Sequence, residues 1–121
     1  MEYKSFEEMP VWQKAMELAV EIFNLTEKLP KKEDYGLTSQ ITSSGLSVSG
    51  NISGGFGRKH TNDKLRFHYN VRGSLAETKN HLIYGLRVGY FNKAQYEQCS
   101  SLVKEIWKES NSIINSLSKK S

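Results

Sequence analysis

Gln40-Ile-Thr-Ser-Ser-Gly-Leu-Ser-Val-Ser-Gly-Asn-Ile-Ser-Gly-Gly-Phe-Gly-Arg58 is the stretch on which the fold turns. Its composition is that of a loop, whereas its apolar spacing is that of a helix. Leu37, Ile41, Val48, Ile52 and Phe56 recur at helical intervals, with Gly45 filling the place between Ile41 and Val48. Against this stand six glycines and six serines between Gly36 and Gly57, and a glycine inside a helix costs about 1 kcal/mol relative to alanine. The segment is therefore a helix only where tertiary packing holds it, and its small residues let a neighbouring backbone come close. Gly54, Gly55 and Gly57 crowd its end and read as its termination.

The flanking segments favour the helical reading. From Val11 to Leu29 the residues Val11, Ala15, Leu18, Ala19, Ile22, Leu25 and Leu29 form one helical face, widened by Met16, Val20 and Phe23. Pro10 suits the first turn and Pro30 cannot continue the helix. Ser5 with Glu8 offers a capping box for a short preceding turn. Residues 31–36 form a polar connector. After the glycine-rich segment, Thr61 or Asn62 caps a third helix running to about Tyr90, with Phe67, Val71, Leu75, Thr78, Leu82, Leu86 and Gly89 on its buried face. Asn92 and Gln95 start a fourth, whose seam is Tyr96, Cys99, Val103, Ile106, Ser110, Ile113 and Leu117.

Four helices on short connectors, without strand-like alternation, predict an all-α fold: an antiparallel up-and-down four-helix bundle. At 121 residues the chain fits one domain spanning residues 1–121. The opening residues lack a signal-peptide pattern and no apolar run approaches the ~20 residues of a membrane helix, so a cytoplasmic protein without a membrane partner is expected. A lone cysteine, Cys99, excludes an internal disulfide and reads as a small buried residue.

Charge is the one unevenly distributed property. Between Tyr35 and Ala76 lie Arg58, Lys59, Lys64, Arg66 and Arg72 against the single acid Asp63, so this third of the chain holds the whole formal excess of +4. The remaining basic and acidic residues cancel. Phosphates attract such a window by charge and counterion release without reading sequence.

Catalytic and cofactor motifs fail on spacing. Gly50 and Gly55 have the separation of a phosphate loop but are followed by Phe56-Gly57 in place of Lys and Ser or Thr. His60, His68 and His81 lie eight and thirteen residues apart, with no carboxylate or cysteine in a ligand pattern beside them. Ser74 and Glu77 have no positioned base or oxyanion donor. No enzyme, cofactor or metal site is expected.

Several landmarks recur in a fixed order: Val11-Trp12-Gln13-Lys14-Ala15, Leu29-Pro30, Glu33, Tyr35 to Ile41, Ser47-Val48, Asn51-Ile52, Gly55-Phe56-Gly57-Arg58, Arg66-Phe67, Gly73-Ser74-Leu75 with Glu77, and Gly89-Tyr90. In this order, from about Phe6 to Leu117, the chain resembles the 23S rRNA intervening-sequence proteins, which are sometimes called ribosomal proteins. The resemblance implies a four-helix bundle, assembly into a ring of five subunits, genes found within insertions in ribosomal RNA operons, and no catalytic activity. A related bundle is an accessory subunit of a reverse transcriptase and binds nucleic acid. Thr42 and Ser43 stand where the family usually has two arginines, Ser49-Gly50 where it has Pro-Ala, and Gly54 where it has an acid. These changes remove two cations from the second helix and one acid from beside Arg58.

The leading expectation is a non-enzymatic homo-oligomer, a pentamer, that associates with RNA or DNA. Arg58, Lys59, Lys64, Arg66 and Arg72 would contact phosphate. The alternative is a scaffold whose basic window recruits an acidic protein partner.

Overall fold

The computed structural model describes residues 2–120, which form helices α1 (Pro10–Thr26), α2 (Leu37–Phe56), α3 (Thr61–Arg87) and α4 (Lys93–Ser118), with no strand among the described residues. Short 3-10 turns at Phe6–Glu8 and Lys31–Glu33 precede α1 and α2. Pro10 occupies the first turn of α1, and a capping box between Asn92 and Gln95 opens α4. At the first turn the expected box is displaced. Ser5 Oγ accepts from the Glu7 amide, while Glu8 reaches past Ser5 to the Lys4 amide. The helix α3 starts behind His60, which makes no side-chain cap; neither Thr61 nor Asn62 serves as one, and Asp63 supplies the favourable negative charge of the first turn.

Each helix packs on its sequence neighbours and α1 closes against α4, and among the described residues the diagonal helices do not approach each other closely at the backbone. The cross-helix pairs run in opposite directions along the chain. Ser44 meets Thr78 and Ser47 meets Ser74; Arg72 lies over Trp107 and Lys79 meets Ser100; Lys14 pairs with Glu109. Ile22 meets Gly45 and Phe6, just ahead of α1, meets Phe56, so all four neighbouring pairs are antiparallel. Val11, Ala15, Leu18, Ile22, Ile41, Val48, Ile52, Val71, Leu75, Leu82 and Ile106 fill the interior, where each fully buried aliphatic side chain contributes about 1.5–3 kcal/mol.

The glycine-rich stretch is helical as far as Phe56, and α2 and α3 make the most extensive contact among the described residues. Across it runs a ladder of small polar groups. Thr78 Oγ1 lies 2.9 Å from Ser44 Oγ, Ser47 Oγ 2.8 Å from Ser74 Oγ, and Asn70 donates to Asn51 at 3.5 Å. Ser44, Ser49 and Ser53 also bond carbonyls three residues back, and Asn51 bonds the Ser47 carbonyl. Local bonding of this kind satisfies a hydroxyl inside a helix and removes its cost of burial.

Gly54 and Gly55 do not end α2. They form the floor beneath the Phe67 ring: a Cβ on Gly54 would stand 2.7 Å from that ring, and one on Gly55 would stand 3.1 Å from Phe67 Cβ. Phe67 is drawn onto this floor and left half-buried, so His68 takes the core position expected of it. Gly57, the C-cap, is right-handed.

The end of α3 is where glycine's conformational freedom is used. Gly89, at φ +87°, is the only positive-φ residue described. The Tyr90 amide bonds the Gly85 carbonyl at 2.9 Å and the Gly89 amide the Leu86 carbonyl at 3.1 Å, a Schellman closure that stops the helix at Arg87, short of Tyr90. The turn folds Phe91 back over Gly85, where a Cβ would stand 2.2 Å from the ring.

Beside this turn Glu33 clasps two connections. One carboxylate oxygen accepts from the Leu37 amide at 3.1 Å and the other from the Tyr90 hydroxyl at 2.8 Å, which together hold the carboxyl below its usual range. A Cβ on Gly36 would strike the same carboxylate at 2.7 Å.

Two faces depart from simple periodicity. The Val20 and Phe23 side chains on α1 are more than half exposed. On α4 the seam holds from Cys99 to Ser110 and then passes through Ile114, leaving Ile113 partly exposed, because a straight helix of 3.6 residues per turn drifts off a 3.5-residue repeat.

The glycines separate into two classes that denaturant unfolding distinguishes. Gly85→Ala is expected to destabilise by about 1–3 kcal/mol through collision with buried Phe91. Gly73→Ala, at an exposed helical position with open space around it, should stabilise by about 0.5–1 kcal/mol.

Candidate functional site

The basic window does not form one patch. Helix α2 ends at Phe56, and two residues later Arg58 turns back so that its guanidinium lies 4.7 Å from the Phe67 ring centroid. Arg66, one residue before Phe67 on α3, places its guanidinium 5.1 Å from the same centroid. Cation attraction to the ring face fixes both, and the glycine floor fixes the ring. Lys59, between α2 and α3, is exposed and its side chain makes no hydrogen bond, ion pair or ring contact with a described residue. Arg58 and Arg66 thus share one ring, with Lys59 next to Arg58 in the chain and Asp63 as the nearby acid, 3.7 Å from Arg66 in an exposed pair. Such a pair adds little to stability and leaves the local charge positive.

Lys64 has a different task. Its ammonium donates to the last carbonyls of α2, at 3.2 Å to Gly55 and 3.1 Å to Phe56, and lies 5.8 Å from the Phe56 ring centroid. A cation at a helix C-terminus satisfies orphan carbonyls and opposes the negative end of the dipole. Arg72 is on the α4 side of α3, with its guanidinium 4.8 Å from the Trp107 ring centroid. Of the five cations expected to act together, Arg58 and Arg66 share a ring, Lys59 is exposed next to Arg58 in the chain, one closes α2 and one lies apart.

His68 was not among the expected site residues. Its side chain is buried on α3, its Nδ1 has no hydrogen-bond partner among the described residues, and its Cδ2 edge faces Gly55. Burial, reinforced by the nearby Lys64 charge, pushes the imidazole from 6.5 down to about 4. It is neutral at physiological pH. The only sequence signal for it was a histidine three residues before Val71, in step with the core.

Among the described residues no group of three or more metal-ligating side chains converges, and Cys99 is buried with its thiol pushed up to about 11 by desolvation. No helix described is long and apolar enough to cross a membrane.

Comparison with known proteins gives a consistent picture of kinship. The family model of the 23S rRNA-intervening sequence protein matches residues 7–112. A crystal structure of a protein with unknown function from the S23 ribosomal protein family of Bacteroides thetaiotaomicron is 28% identical, with a TM-score of 0.80, and the match covers 86% of this chain and 97% of that one. Among curated proteins none matches.

His68 makes stability depend on acid. Above pH 6.5 the imidazole is neutral in both folded and unfolded chains. Between 6.5 and about 4 the unfolded chain takes up a proton that the folded one refuses, so stability should fall by up to about 1.4 kcal/mol per pH unit. In urea titrations across this range, His68→Leu should flatten that part of the profile.

Proposed function

The chain belongs to the 23S rRNA-intervening sequence protein family, and we propose that it is a non-enzymatic, homo-oligomeric accessory protein of the cytoplasm that holds the phosphate backbone of RNA or DNA. The observation that carries this reading is the grouping of the Arg58 and Arg66 guanidiniums on one ring, with exposed Lys59 next to Arg58 in the chain. Two like charges held on a shared support repel each other, and an anion between them relieves the repulsion. Phosphate suits guanidinium groups in particular, because their planar donors match its oxygens in pairs. Fixing the side chains in advance lowers the entropy lost on contact. Lys64 and Arg72, engaged elsewhere, add to the long-range field.

The family resemblance and the exposed apolar side chains Val20, Phe23, Leu46 and Val88 support self-association. We take the assembly to be a ring of five. Repetition of the cluster around such a ring turns contacts that are weak singly into useful affinity.

The reading is tested by salt dependence. For a labelled single strand, replacing Arg58, Lys59 and Arg66 with glutamine should lower the slope of log affinity against log salt by about 0.7 per lost contact, or about 2 in all. Unchanged binding in a fluorescence-anisotropy titration would remove the assignment. Light scattering on the unlabelled protein checks the assembly, and a monomer mass at micromolar concentration contradicts it.

A further inference from the structure

A cavity of about 420 Å³ opens at the end of the bundle where α2 finishes and α3 begins. Met9, Phe56 and Ile113 supply apolar walls, and Lys64 and His68 the polar ones beside Gly55. Its size lies within the range of small-molecule sites. It adjoins the basic cluster through one peptide group: the Gly55 carbonyl accepts both from Lys64 Nζ and from the Arg58 amide, each at 3.2 Å.

Lys64 and His68 are the candidate donors of this cavity, whose wall also carries the Glu2 carboxylate and the Tyr3 hydroxyl. Two N–H bonds of Lys64 are committed to α2 carbonyls, which leaves the third. The neutral imidazole of His68 carries one proton, and Nδ1 has no acceptor for it. With Nδ1 sealed inside the protein, only Nε2, which adjoins the Cδ2 atom facing the cavity-lining Gly55, is left to bond an occupant, and it donates when it carries the proton. A histidine only 4% exposed, with one ring nitrogen orphaned, lacks a fully satisfied structural role.

The wall sets the charge of the occupant. Lys64 is opposed by Glu2 and by the carbonyl end of α2, so the cavity offers donors without a strong positive field. That arrangement suits a neutral, flat group with carbonyl acceptors on its edge and an apolar face. It suits a full anion poorly.

We propose that this cavity receives an unpaired base of a single-stranded nucleic acid, its carbonyl oxygens accepting from Lys64 and His68 while the adjoining phosphates lie on Arg58 and Lys59. This rests on the phosphate-binding reading above and adds to it a preference for single strands, since a paired base cannot present that edge. A pyrimidine such as uracil, with two ring carbonyls, has the required chemistry.

The test uses the full chain with four probes: a labelled oligouridylate, an abasic strand with the same number of phosphates, free uridine, and a fatty carboxylate. The variant is His68→Leu, which removes a buried unpartnered polar group and so should not unfold the protein. Oligouridylate should bind the native protein about tenfold more tightly than the abasic strand does. His68→Leu should lose most of that advantage and leave abasic binding unchanged, and uridine should shift the His68 imidazole resonances in NMR spectra of the native protein. Equal binding of the two strands overturns base insertion and leaves the phosphate reading standing. If uridine shifts His68 but no strand binds more weakly when the arginines are replaced, the phosphate reading fails alone. Absence of both effects overturns both, and a response of His68 to a fatty carboxylate but not to uridine overturns the base in favour of an amphiphile.

Discussion

The close approach of α2 to α3 is the constraint from which the rest of the molecule follows. Neither helix could come so near its partner with larger side chains at Ser44, Ser47, Gly54 and Gly55. The cost to α2 is low intrinsic helicity, offset by burial of Ile41, Val48 and Ile52 on its inner side. The benefit is a seat for Phe67. With that ring seated, two arginines gain a platform and His68 enters the core. The packing of small residues and the placement of charge are one arrangement.

Much of this was legible in the chain itself. Pro10 and the Asn92–Gln95 pair mark helix starts by local chemistry, and the spacing from Leu37 to Phe56 outweighs a loop-like composition because periodicity reports what is buried. The errors came where local pattern meets a neighbour. Gly54 and Gly55 look like a stop signal, but the ring that needs them lies on another helix. Gly89 fits the buried face of α3 in register, yet its backbone ends the helix.

The site was legible as a concentration of charge and obscure as a geometry. Helical angle alone separates Arg72 from Arg66, since six residues fall well short of two full turns; that signal was available. The role of Lys64 was not, because its acceptors become available only when α2 ends beside the start of α3. Charge counting treats all five cations alike. In the folded chain they divide into those that face solvent and those already satisfied by the protein.

All twenty residues of α2 are uncharged, and apart from the Lys64 ammonium on its last carbonyls its polar contacts to α3 are made by hydroxyls and amides. Ions in solution therefore have little purchase on this seam, while they compete directly at the exposed arginines. Shape and attraction answer to different variables. A change of ionic surroundings can release a charged ligand from this bundle and leave the helices that display its binding groups in register.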